Sequence, residues 1–209
     1  MNHASSSCTP RTAEGLGGPP GGQPAPCDRK PIAVNQDAKL RAGLTQGQDP
    51  RVIVLACSDS RAPIEHVFNI GFGDAFVIRT AGHILDSAVM ASLDYALENL
   101  NANLLVVMGH QSCGAVGAAS EFLAGGDLPT GLQRPIIEQV ATASLVAQRD
   151  GREERADFER ENTAQTVSQI ISDIPAAREL LDAGTLGVVG LRYLLEDSSV
   201  ETVVLHGVE

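Results

Sequence analysis

The stretch Val52-Ile53-Val54-Leu55-Ala56-Cys57-Ser58-Asp59-Ser60-Arg61 decides the fold. Five apolar residues run straight into a polar, chemically equipped set. A continuous Val/Ile/Leu run of this length marks a strand covered on both faces, as parallel sheets require. A second stretch has the same design: Leu104-Leu105-Val106-Val107-Met108 leads into Gly109-His110-Gln111-Ser112-Cys113. If the two strands lie side by side and parallel, both polar segments emerge at their C-terminal ends. Open α/β sheets take their ligands there. Two thiols, one imidazole and one carboxylate then converge.

Working outward, Asn35 to Thr45 is expected to form a short helix, broken by Gly47-Gln48-Asp49-Pro50. Pro63 opens a short helix through about Phe68. Ala75 to Arg79 is a second strand. Asp86 or Ser87 caps an amphipathic helix carrying Val89, Met90, Leu93, Ala96, Leu97 and Leu100. A further helix runs from Cys113 to Ala124. Residues 135–150 and 156–172 read as longer helices, and Ala176 to Leu181 as a short one. The charge run Arg152-Glu153-Glu154-Arg155 reads as a solvated face. Leu186 to Leu195 and Val200 to His206 are the last two strands. Their connector is too short for a parallel crossover, so they should form an antiparallel hairpin. The sum is an α/β fold: a mostly parallel β-sheet flanked by helices, with an antiparallel edge strand.

Residues 1–30 contain GLGGPPGGQPAP at 15–26, a composition that cannot bury a core. They read as a disordered tail, His3, Cys8 and Cys27 included, leaving 31–209 as one catalytic domain. The net charge of −11 argues against nucleic acid or an anionic membrane as main partner. No apolar run has transmembrane length, and no basic-then-apolar leader is present. A cytoplasmic location is expected. There the strand-end cysteines, Cys57 and Cys113, suit metal or catalysis better than a disulfide.

Thiolates and imidazole are good zinc ligands. His110 and Cys113 lie three apart at a strand-to-helix turn, and Cys57 comes from the neighbouring strand. Three protein ligands leave a fourth position for water or for Asp59. Zinc brings the pKa of a bound water towards neutrality and so makes hydroxide available. Asp59 and Arg61, two apart, fall on one side of an extended segment, where the Arg fork can hold the carboxylate. Held so, Asp59 can accept the hydroxide proton; released, it can close the fourth zinc position. A purely structural zinc site would have no need for the Arg.

These motifs resemble those of the β-class carbonic anhydrases. The resemblance runs from about Gln48 to Val208. It includes Ala56–Arg61, Gly73–Gly82 (GDAFVIRTAG), Ser92–Ala96 (SLDYA) and Gly109–Val116 (GHQSCGAV), and is strongest to actinobacterial members. It implies one Zn2+ per chain on Cys57, His110 and Cys113, with Asp59 as fourth ligand of a closed form. It implies Asp59 and Arg61 as the catalytic dyad, Gln48 reaching the active site across a homodimer interface, and the Gly114 N–H facing substrate. The implied reaction is reversible hydration of carbon dioxide to bicarbonate and a proton (carbonate dehydratase, a carbon–oxygen lyase). Val67, Phe72, Ala81 and Gly82 are expected to line the pocket. Some bacterial members carry an inhibitory bicarbonate pocket built on Trp, Arg and Tyr. Arg79 and Tyr193 match two of these, but Val54 stands in place of the Trp, so no such pocket is expected. His83, where Asn is more common, reads as a packing residue rather than a proton shuttle. Two alternatives keep the same site: hydrolysis of carbon disulfide or carbonyl sulfide, and a non-enzymatic zinc-binding regulator.

Overall fold

The computed structural model describes residues 35–208. The proposed tail, residues 1–30, lies outside them. Five strands form one sheet in the order β2-β1-β3-β4-β5: β1 Val52–Cys57, β2 Ala75–Thr80, β3 Leu104–His110, β4 Gly187–Tyr193 and β5 Val200–His206. β1 to β4 run parallel to one another, and β5 runs antiparallel to β4. The helices are α1 Ala38–Gly43, α2 Ile64–Val67, α3 Ser87–Asn99, α4 Gly114–Leu123, α5 Arg134–Arg149, α6 Arg155–Asp173 and α7 Pro175–Asp182.

The two apolar runs take the central places. β1 is buried from Ile53 to Cys57, and β3 from Leu105 to His110. Side chains alternate across a strand. Ile53, Leu55, Leu105 and Val107 therefore pack on one face with Leu93 of α3, Ile170 of α6 and Ala177 of α7. Val54, Ala56, Val106 and Met108 face the other side, towards Ile64 of α2. A third cluster joins α4, α5 and Phe158 of α6 around Cys57 and Cys113.

Local signals place the helix starts. The Asp86 carboxylate accepts the Val89 N–H at 2.8 Å and caps α3. Glu154 and Asp157 form a reciprocal capping box on α6. Two expected boundaries shift. The first helix is shorter than 35–45: Asp37 caps α1, and Leu44–Gln46 tightens into a 3-10 turn. β3 continues to His110, because the ladder with β4 runs on until Gln111 N–H meets the Tyr193 carbonyl at 2.8 Å.

Close packing of β3 against α6 requires Gly109. A Cβ there would collide with the Thr163 hydroxyl, on a residue with no exposed surface. Gly109→Ala is therefore expected to destabilise the fold by about 1–3 kcal/mol, the usual cost of overpacking. Urea unfolding measures it; an unchanged midpoint would remove this contact from the packing argument.

Candidate metal centre and its surroundings

Register brings the donors together. Ala56 lies opposite Met108, so β1 and β3 end nearly level. Cys57 closes β1, His110 closes β3, and Cys113 stands at the N-cap of α4. One ligand atom from each lies within 4.8 Å of the other two, and all three residues are buried.

Hydrogen bonds fix how each donor is presented. His110 Nδ1 lies 2.9 Å from the Gln111 carbonyl. A carbonyl only accepts, so Nδ1 carries the proton and Nε2 keeps its lone pair. That Nε2 is buried and has no hydrogen-bond partner. The Gly82 N–H donates to Cys57 Sγ at 3.4 Å. The neighbouring Cys113 thiol drives the Cys57 pKa down, and the Cys57 sulfur, together with burial, drives Cys113 up. Burial pulls His110 down, but the Cys57 thiolate and the Asp59 charge outweigh it, and its pKa rises.

An orphaned imidazole lone pair aimed at two buried sulfurs is what a soft-to-borderline cation would satisfy. Two thiolates and one imidazole match the ligand preferences of Zn2+ and leave a fourth tetrahedral position for chemistry. The donor set fits one zinc ion.

Asp59 lies beside this cluster and outside it. Arg61 holds it by a fork, Nε to Oδ1 at 2.9 Å and Nη2 to Oδ2 at 2.7 Å, with the Arg61 N–H also on Oδ1 at 2.9 Å. These bonds hold the Asp59 carboxyl well below the usual carboxylate range. Oδ2 lies 3.8 Å from His110 Nε2. The fourth-ligand arrangement of Asp59 is thus not the one seen, because Arg61 competes successfully for both carboxylate oxygens. Arg61 also donates to the Ser112 carbonyl at 3.2 Å, linking the two polar segments.

Other expected site residues fall in two groups. Gly114 opens α4 with open space where a Cβ would project. Gln48 does not join the cluster. It precedes β1 at the other end of the sheet, and six extended residues span about 20 Å. Gln48 lines a groove there with Leu44, Thr45, Phe72 and Gly73. Of the expected pocket lining, Gly82 touches Cys57, whereas Phe72 belongs to this distant groove.

Several supporting residues were not apparent from the sequence. Arg79 donates to the carbonyls of Cys57, Asp59 and Ala62 at 2.7 to 3.3 Å, so its guanidinium ties the Cys57–Arg61 segment down. Val54 lines an apolar cavity of about 220 Å³ with Phe68, Ile70, Val106, Val189 and Leu191. Arg155 belongs to the solvated charge run and is half-exposed, yet its Nη2 also reaches the Cys113 carbonyl at 2.6 Å. The signal for α6 was a stripe of polar residues at helical spacing, Glu159, Asn162, Thr163 and Thr166, all buried.

The carbonic anhydrase family model matches residues 52–200. The chain belongs to the carbonic anhydrase family. It is 42% identical to carbonic anhydrase 2 of Mycobacterium tuberculosis over 168 residues, covering 80% of this chain and 81% of that one. It is 41% identical to the carbonic anhydrase of Mycolicibacterium smegmatis over 172 residues, covering 82% and 84%. The fold is that of the β-class. The tetrameric β-carbonic anhydrases of Sordaria macrospora superpose with a TM-score of 0.67 at 23% identity, covering 78% of this chain and 85% of that one. The Coccomyxa β-carbonic anhydrase, solved with acetazolamide, gives 0.68 at 23%, covering 78% and 75%.

In this carbonic anhydrase, His83 is a packing residue. It is 2% exposed, with φ of 45° directly after Gly82 at 68°. The Asn162 amide donates to the Gly82 carbonyl at 3.2 Å and contacts His83 Nε2 at 3.0 Å, so Nε2 accepts. Burial lowers the His83 pKa to about 4. An unfolded His takes up its proton near pH 6.5, whereas the folded one stays neutral down to about 4. This group's contribution is therefore full above pH 6.5 and declines as pH falls through that window, by about 3 kcal/mol at most. NMR titration should show a flat His83 signal from pH 8 to 5.5; a midpoint near 6.5 would contradict the assignment.

Proposed function

We propose that this chain is a zinc-dependent carbonic anhydrase that interconverts carbon dioxide with bicarbonate and a proton. The observation that carries the reading is the trio of buried donors, Cys57, His110 and Cys113, beside an Asp59 held ionised by Arg61. A zinc ion on those three donors would act as a Lewis acid and acidify a coordinated water.

The chain's own residues supply the rest. Asp59, acceptor-only while ionised, would accept a hydrogen bond from the attacking water or hydroxide and orient it towards carbon dioxide. Arg61 keeps Asp59 ionised and pointed there. The Gly114 N–H, at the positive end of α4, faces the oxygen on which negative charge develops. Gln48 is too far from its own cluster to help. We assign it to the site of a second copy, in a homodimer or a larger assembly built from one. The tetrameric state of the Sordaria macrospora enzymes supports a homo-oligomer.

We take residues 31–209 as the catalytic domain and the cytoplasm as its location. Two free buried thiols, Cys57 and Cys113, stay metal-competent in a reducing compartment. No helix among the described residues is long and apolar enough to cross a membrane.

The test is stopped-flow carbon dioxide hydration on protein of measured zinc content. The wild type should be active, and a chelator should abolish that activity. Asp59→Asn keeps the shape of the side chain but replaces an acceptor-only group. It should retain zinc and lose at least about a hundredfold in turnover, in line with the usual weight of general acid–base groups. Unchanged turnover would remove Asp59 from the mechanism. Zinc-loaded wild type that releases sulfide from carbon disulfide, yet leaves carbon dioxide untouched, would refute the substrate.

A further inference from the structure

Two charged residues one turn apart on α6, Arg155 and Glu159, hold the two peptide groups of Cys113. Glu159 Oε1 accepts the Cys113 N–H at 3.2 Å, and Arg155 Nη2 donates to the Cys113 carbonyl at 2.6 Å. Glu159 is 3% exposed, and a buried carboxylate is tolerated only when paired. Arg192 of β4, itself 5% exposed, supplies the partner. It donates to Glu159 Oε2 at 2.8 Å and to Glu201 of β5 at 3.0 Å.

Cys113 needs outside support. It caps α4 without any side-chain capping bond. The residue before it, Ser112, sits at φ 57°, a left-handed conformation that costs a non-glycine residue. Room for the support is built into α4. At Gly117 a Cβ would lie 2.8 Å from Arg155 Nη2, so a larger residue there would push the guanidinium off its present position at the Cys113 carbonyl.

We propose that Arg155 and Glu159 form a two-point grip from α6 that positions Cys113, and so aims its sulfur at the point shared with Cys57 and His110. The proposal rests on the zinc reading of that cluster. Neither residue touches the reacting atoms; both are positioning residues. Partners that orient metal ligands commonly change metal affinity ten- to a hundredfold when removed.

Cobalt(II) in place of zinc in the full-length protein supplies the test. Its sulfur-to-metal charge-transfer and ligand-field bands report the geometry of the site without reference to turnover. Zinc affinity, by competition with a chelator, is the second readout. Gly117→Ala replaces glycine by the better helix former, so α4 is retained while the guanidinium is displaced. Arg155→Ala removes a half-exposed side chain. Both variants are expected to fold, to shift the cobalt bands and to bind zinc about tenfold more weakly. Glu159→Gln should lose more. Glu161→Gln, on the same helix, breaks the ion pair to Arg152 in the turn before α6 and should leave the bands in place. If Glu159→Gln fails to fold, the first two variants decide. Wild-type bands and affinity in Gly117→Ala and Arg155→Ala would overturn the grip alone. A wild type that takes up cobalt without thiolate bands would overturn the zinc reading and the grip with it.

Discussion

Everything at the metal centre depends on β1 and β3 being parallel neighbours that end level. The pairing of Ala56 with Met108 leaves Cys57 on one strand and His110 on the next at the same edge of the sheet. A slip of one residue would turn Cys57 to the opposite face and disperse the donors. What resists the slip is burial. The central residues of both strands are apolar, covered on both sides, and cannot be exchanged between faces without repacking α3, α6 and α2.

Around that constraint the molecule spends polar groups on irregular backbone. Ser112 and His83 both adopt left-handed φ, and each is fastened by neighbours. The Gln111 side chain accepts from Leu195 N–H at 2.9 Å and donates to Glu196 at 2.9 Å, anchoring the His110–Cys113 turn to the β4–β5 connection. Arg79 performs the same service for the Cys57–Arg61 segment. A division of labour results. The three zinc donors are buried and fixed, whereas Asp59 and Arg61 stand at the boundary with solvent, the Arg61 side chain being 53% exposed. Rigid donors hold a metal well. A carboxylate at the edge of water is placed to pass protons.

The sheet and the donor set were legible because both follow from simple physical rules. Continuous Val/Ile/Leu runs mark doubly covered strands, and a short connector after β4 allows only a hairpin. Cys57, Asp59, Arg61, His110 and Cys113 stood out because each follows such a run directly. Less was visible where a residue's role depends on what packs across from it. Arg155 sits in a charge run that resembles a solvated face, and its inward reach depends on Gly117 of another helix. Glu159 is one carboxylate among many until Arg192 and Cys113 are folded against it. Phe72, expected in the pocket lining, is carried by the turn before β2 to the far end of the sheet, into the same groove as Gln48. Helix ends moved by a few residues, as with α1, where the Asp37 cap outweighed the propensity of the residues before it.

The central claim is that Cys57, His110 and Cys113 together hold one zinc ion and leave a fourth position to an oxygen. X-ray absorption at the zinc edge, on purified full-length protein with its metal content measured in parallel, tests that claim most directly. The account predicts one zinc per chain, with two sulfur and two lighter nitrogen or oxygen neighbours at distances of about 2.3 and 2.0–2.2 Å. Protein that folds without zinc, or a zinc surrounded by any number of sulfurs other than two, would contradict it.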